Sequence, residues 1–131
     1  MHARLLIVDD HAAFRAVARR LLGSGGFTVV GEAADGPAAI DAVHELRPDV
    51  VLLDVALPDL DGFAVALRLA AESTPPVVVL VSSRARADYG SLVDASPVAG
   101  FIGKSELTPD AVRALLDGPP GGPSGGGPRC A

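Results

Sequence analysis

Five polar residues stand at the ends of four short apolar runs. Asp9 and Asp10 follow Leu5 to Val8, Asp54 follows Val50 to Leu53, Ser82 follows Val77 to Val81, and Lys104 stands just beyond Ala99 to Ile102. If these runs are parallel strands, their carboxyl ends share one edge of the sheet. Three carboxylates, a hydroxyl and an ammonium then meet there. Carboxylates a few ångströms apart raise one another's pKa and need a counter-charge to stay ionised together. A hard divalent cation provides one, and this oxygen-only set suits Mg²⁺ better than zinc. Lys104 is the only lysine, and the other ten Lys/Arg positions are arginine. An ammonium is a compact charge with rotatable donors, suited to gripping a single anionic oxygen where a guanidinium fork is not. Taken singly, a strand-end aspartate is most often a helix cap or a turn residue, and one lysine is a stray. Their shared edge argues for chemistry.

The elements that must position these groups are legible as alternating patterns. Five apolar runs, including Phe27 to Val30, lack polar alternation, as strands buried on both faces do. Between them, Phe14, Val17, Ala18, Leu21 and Leu22 follow helical spacing up to a break at Gly23 to Gly26, Ile40, Val43 and Leu46 form a weaker stripe, and Phe63, Ala66, Leu67 and Ala70 form another. Thr108 as N-cap, Pro109 at the first helical position, the stripe Val112, Leu115 and Leu116, and Gly118 as a stop predict a short last helix. Residues 84–96, interrupted by Gly90, carry no clear period. Strand-helix repetition of this kind predicts a doubly wound α/β fold, a five-stranded parallel sheet with helices on both faces, with ligands at the carboxyl ends of the strands. The expected division is one domain over 1–117 and a disordered Gly/Pro-rich tail over 118–131.

At 131 residues and 49% hydrophobic, the chain can build one sizeable core. The net charge of -5 and the lack of a basic stripe argue against direct nucleic-acid binding. No apolar run reaches membrane-spanning length and no signal-peptide layout opens the chain, so a cytoplasmic location is expected. The single cysteine, Cys130, precludes an intramolecular disulfide or cysteine metal cluster and reads as an incidental thiol.

With Asp9-Asp10, the stretch Asp54-Val55-Ala56-Leu57-Pro58-Asp59-Leu60-Asp61-Gly62, Ser82, and Phe101 three positions before Lys104, the chain resembles a receiver domain of the two-component response regulators over residues 4–117. The segment Val30 to Gly36 further resembles receivers found ahead of helix-turn-helix domains, though no such domain is present in this sequence, so a stand-alone receiver is expected. The resemblance implies that Asp54 accepts a phosphoryl group from a sensor histidine kinase or phosphotransfer protein. It implies Mg²⁺ held by Asp10 directly, by Asp9 largely through water, by Asp54 and by the Ala56 carbonyl, with Lys104 on the transferring oxygens. Ser82 would then bond a phosphoryl oxygen and Phe101 would turn inward. The fourth helix, fifth strand and fifth helix would form the switched face, open to a downstream protein or a second copy of the chain. Such a domain is a phosphoacceptor and not an enzyme with its own substrate.

Three departures stand out. Ser105 follows Lys104 where many receivers have proline after an often cis bond, and a cis bond before serine costs about 3 kcal/mol. Ala56 and Arg84 occupy the positions that in the family tune hydrolysis, and the last helix is short. Rival readings fit less well: a haloacid-dehalogenase-like phosphatase wants an Asp-x-Asp pattern at the first strand, and a flavodoxin-like cofactor binder wants a phosphate-cradling loop where this chain puts two carboxylates. An unphosphorylated interaction module is the remaining alternative, against which the complete set Asp9, Asp10, Asp54, Ser82 and Lys104 argues.

Overall fold

A computed structural model describes residues 3–117. Strands β1 (Arg4–Val8), β2 (Thr28–Ala33), β3 (Val50–Asp54), β4 (Val77–Ser82) and β5 (Gly100–Gly103) form one sheet in the order β2-β1-β3-β4-β5, all pairs parallel. Helices α1 (Ala12–Ser24), α2 (Gly36–Leu46), α3 (Gly62–Ala70), α4 (Leu92–Ala95) and α5 (Pro109–Asp117) lie between and after the strands. This is the flavodoxin-like α/β sandwich expected from the sequence. The tail over 118–131 lies outside the described residues.

The absence of polar alternation in the strands has its cause in two cores. Leu6, Val8, Val51, Leu53, Val78 and Leu80 pack with Ile40 and Val43 of α2 and Val65 and Leu69 of α3, while Leu5, Ile7, Val50, Leu52, Val79 and Val81 pack with Ala18 and Leu22 of α1 and Val112 of α5. Successive strand residues therefore enter opposite cores, and both must be apolar. Strand order reverses direction at β1 and β3, which opens a crevice at their carboxyl ends.

Three details depart from the sequence reading. Val17 is 58% exposed, and the buried line of α1 is Ala18 and Leu22 with Phe14 and Leu21 at its margins. The helix also runs on through Gly23 to Ser24 before Gly25 and Gly26, the latter at φ 99°, end it. In α3 the predicted phase is wrong: Leu67 is 63% exposed and Ala70 faces out, while Gly62, Val65, Ala66 and Leu69 are buried. With Arg68 its only charge, that helix is apolar nearly all round, so spacing alone could not choose the face. Finally, residues 84–96 hold a 3₁₀ turn (Arg86–Tyr89) and α4, which has only 4 residues. A helix that short has no independent stability, so its position depends on packing. At the other end Thr108 caps α5 as expected, its Oγ1 accepting the Ala111 N–H at 3.0 Å.

Candidate functional site

Parallel pairing carries the polar strand ends to one edge. Asp9 continues β1, with its N–H donated to the Ala33 carbonyl at 3.0 Å, and Asp54 ends β3 opposite Val81. Both are all but sealed from solvent, at 0% and 2% exposure, whereas Asp10 is exposed beside them. The Lys104 ammonium reaches in from the turn after β5, 2.6 Å from Asp9 Oδ2 and 3.5 Å from Asp54 Oδ2. It also lies 4.5 Å above the centre of the Phe14 ring, an apolar wall that strengthens its field on the two carboxylates. Every peptide bond among the described residues is trans, and Lys104 to Glu106 form a 3₁₀ turn. Proline is thus not needed to aim this lysine.

The carboxylates are unequally supplied. Asp9 Oδ1 accepts from the His11 N–H at 2.8 Å and stands 2.9 Å from His11 Nδ1, which is also 3.1 Å from Asp10 Oδ1. Asp54 Oδ1 accepts the Ala56 N–H at 3.3 Å. The Oδ2 atoms of Asp9 and Asp54 are buried and receive no well-directed hydrogen bond, so the off-axis charge of Lys104 is what compensates them. Burial, and next the charge of Asp9, push the Asp54 carboxyl above its usual range against the pull of Lys104.

That direction carries a stability consequence. Asp54 holds its proton to higher pH in the folded chain than in an unfolded one, so stability falls as pH rises through the interval between the two values. Above the folded value the deficit is present in full. In chelator at neutral pH, Asp54→Asn should therefore be more stable than the wild type, with the gap closing as the pH drops through the carboxylate range. Thermal melts across pH read this directly, and a variant less stable than wild type at neutral pH would contradict it.

Other groups fix the frame. Arg15 donates to the Asp9 carbonyl at 2.6 Å and to Glu32 at 2.9 Å, and Arg19 donates to the other Glu32 oxygen at 2.6 Å. The Arg19 hydrogen bond above all, with Arg15, holds the Glu32 carboxyl below its usual range, partial burial opposing. Together these tie α1 to β2 and hold the backbone under Asp9. Gly62 brings the start of α3 against β3, its N–H donated to the Val55 carbonyl at 2.6 Å. A Cβ there would lie 2.5 Å from the Asp54 carbonyl oxygen, so close contact, not conformational freedom, requires glycine.

Ligand atoms of Asp9, Asp10, His11 and Asp54 all lie within 4.8 Å of one another. Two buried carboxylate oxygens without directed partners, beside an exposed third carboxylate, fit a small oxygen-seeking cation such as Mg²⁺. Ser82, 2% exposed at the end of β4, spends its hydroxyl elsewhere: it lies 2.5 Å from the Tyr89 hydroxyl and accepts the Arg84 N–H at 2.9 Å. Phe101 is half-buried, 5.9 Å from the Tyr89 ring. His11, Phe14, Arg15 and Tyr89 were not legible as site residues. His11 adjoins the acidic pair, a signal that could have been used, but Tyr89 sits in the segment without period.

The family described as "Response regulator receiver domain" matches residues 5–116. The chain belongs to that family. The receiver is 37% identical over 115 residues to a probable transcriptional regulatory protein NarL of Mycobacterium tuberculosis, covering 87% of this chain and 53% of that protein. It is 32% identical to the positive transcription regulator BvgA of Bordetella pertussis, covering 87% and 54%. Over 81 residues it is 49% identical to a protein-glutamate methylesterase/protein-glutamine glutaminase of Myxococcus xanthus, covering 61% and 23%. Among solved structures, the signal receiver domain of the putative response regulator NarL from M. tuberculosis superposes with a TM-score of 0.79 at 36% identity, covering 88% of this chain and 94% of that one. The chain spans about half the length of the first curated relatives it matches. Segments this similar occur both in proteins named as transcription regulators and in one named as a methylesterase. A receiver of two-component signalling has a histidine kinase or related phosphodonor as its partner, and no helix among the described residues is long and apolar enough to cross a membrane.

Proposed function

We propose that Asp54 is the phosphoacceptor and that Asp9, Asp10, Asp54 and the Ala56 carbonyl hold the Mg²⁺ on which transfer depends. The observation that carries this reading is the Lys104 ammonium set between two buried carboxylates whose Oδ2 atoms have no directed partner. In the transfer, an Asp54 carboxylate oxygen forms a bond to phosphorus as the N–P bond of a phosphohistidine breaks, and the imidazole leaves and takes up a proton. A carboxylate suffices because the loose transition state asks for alignment and charge neutralisation more than for nucleophile strength. The metal, when bound, supplies charge neutralisation at the transferring oxygens. Lys104 opposes the same charge from the β5 side, positioned in advance by Asp9 and Phe14. Arg15 and Gly62 keep Asp9 and Asp54 at fixed separation, a placement that transfer rewards steeply.

Once Asp54 is modified, Ser82 donates to a phosphoryl oxygen and Phe101 moves toward the core, altering the surface formed by α4, β5 and α5. With α4 reduced to one turn, β5 and α5 supply most of that surface to a downstream protein or to a second receiver. The domain acts as a phosphoacceptor in the cytoplasm, with no substrate of its own beyond its phosphodonor. Incubation with acetyl phosphate and Mg²⁺ should add one phosphate to the intact mass. The increment should vanish in chelator and in Asp54→Ala, and a folded wild type that never gains it would overturn the proposal.

A further inference from the structure

We propose that Tyr89 is the resting-state restraint on Ser82 and the piece that carries its movement to Phe101. This rests on the phosphoryl-transfer reading above and adds a positioning residue to it. A serine hydroxyl has one donor and two acceptor sites. The Arg84 N–H occupies one acceptor of Ser82 at 2.9 Å, and the Tyr89 hydroxyl engages the oxygen at 2.5 Å. Neither partner belongs to the acidic cluster, and Ser82 makes no hydrogen bond to Asp54 or Lys104. With Ser82 as the donor to Tyr89, its one O–H must turn away from Tyr89 to reach a phosphoryl oxygen on Asp54, so each phosphorylation is charged one part-buried hydrogen bond.

Release of Ser82 frees a ring already seated at the switch. Tyr89 meets Phe63 of α3 edge-on, centres 5.6 Å apart, and Phe101 of β5 at a tilt, 5.9 Å apart. It is the last residue of the 3₁₀ turn, and Gly90 follows at φ 60°, ψ -130°, a conformation that side chains other than glycine rarely take. Beyond it is only the single turn of α4. The turn bearing Tyr89 is tied to α4 by the Arg86–Asp94 ion pair and closed by the Ala85 N–H donated to Asp88 at 3.1 Å, while the ring itself is seated by two aromatic contacts and the Ser82 bond, and losing the bond lets the ring shift against Phe101.

The test uses the composition of the chain: Tyr89 is its only tyrosine and it contains no tryptophan, so intrinsic emission reports this one ring. Beryllofluoride with Mg²⁺ serves as the phosphoryl mimic, its binding followed independently by fluorine NMR. In the wild type, Tyr89 emission should change in step with mimic binding, and in Ser82→Ala it should start from a different resting value. Tyr89→Phe keeps the ring and removes the hydroxyl, so it should bind the mimic about fivefold more tightly, the worth of one neutral hydrogen bond. In a Ser82→Ala background the same substitution should change affinity little, because the partner is gone. Emission that stays flat while fluorine NMR shows the mimic bound would overturn the proposal, as would Tyr89→Phe binding equally or more weakly. A wild type that does not bind the mimic at all would instead remove the phosphoryl-transfer reading, and this proposal with it.

Discussion

Lys104→Ala should lower the rate of phosphoryl uptake from acetyl phosphate by a hundredfold or more, on the order of the loss when one preorganised electrostatic donor is removed from an active site. It should also weaken the resting fold. The ammonium sits 2.6 Å from Asp9 Oδ2 and 3.5 Å from Asp54 Oδ2, and both carboxylates are buried. Deleting it leaves two like charges facing each other without compensation, a change that costs about 3 kcal/mol when a buried pair is broken from one side. In chelator the melting temperature should therefore fall by at least several degrees, and Mg²⁺ should restore part of the loss by taking over the neutralisation. Lys104→Arg separates charge from shape. The slot between Asp9 and the Phe14 ring, 4.5 Å from the ammonium, suits a point charge. Arginine should recover stability better than it recovers uptake, because its fork cannot take the same single-atom position. Equal uptake in Lys104→Arg and wild type would show that charge alone suffices.

Gly62→Ala should be nearly as damaging, for a steric reason. The added methyl would stand 2.5 Å from the Asp54 carbonyl oxygen and 2.7 Å from the Val55 Cα. Both obstacles are backbone, so relief requires moving the end of β3 or the start of α3. We expect a loss of about 2–3 kcal/mol, at the upper end of overpacking costs, read by denaturant unfolding. Uptake should fall as well, because the backbone that would move is the one that carries Asp54. A variant with wild-type stability and uptake would show that α3 can retreat freely.

The strand-end residues were legible because their positions follow from topology alone. Once Leu5 to Val8, Val50 to Leu53 and Val77 to Val81 are read as parallel strands, the residue after each must reach the same edge, whatever its rotamer. Lys104 and the acidic pair thus come together in the structure as chain order implies. What depends on the direction of a side chain across elements was not legible. Phe14 reads as an ordinary stripe residue, yet its face lies under Lys104. The phase of α3 was missed because Gly62, which sets it through contact with β3, carries no hydrophobic signal. Tyr89 lies where Gly90 breaks the pattern, and its bond to Ser82 spans only seven positions through a turn that no period announces.

Asp54, and not its acidic neighbours, should carry the phosphoryl group. The most direct measurement treats the acetyl phosphate-modified protein with borohydride, which reduces an acyl phosphate to the alcohol, and locates the product by peptide mass spectrometry. Homoserine should appear at position 54 alone, and only when Mg²⁺ was present during uptake. Homoserine at Asp9 or Asp10, or a phosphate that survives borohydride because it sits on a hydroxyl such as that of Ser82, would contradict it.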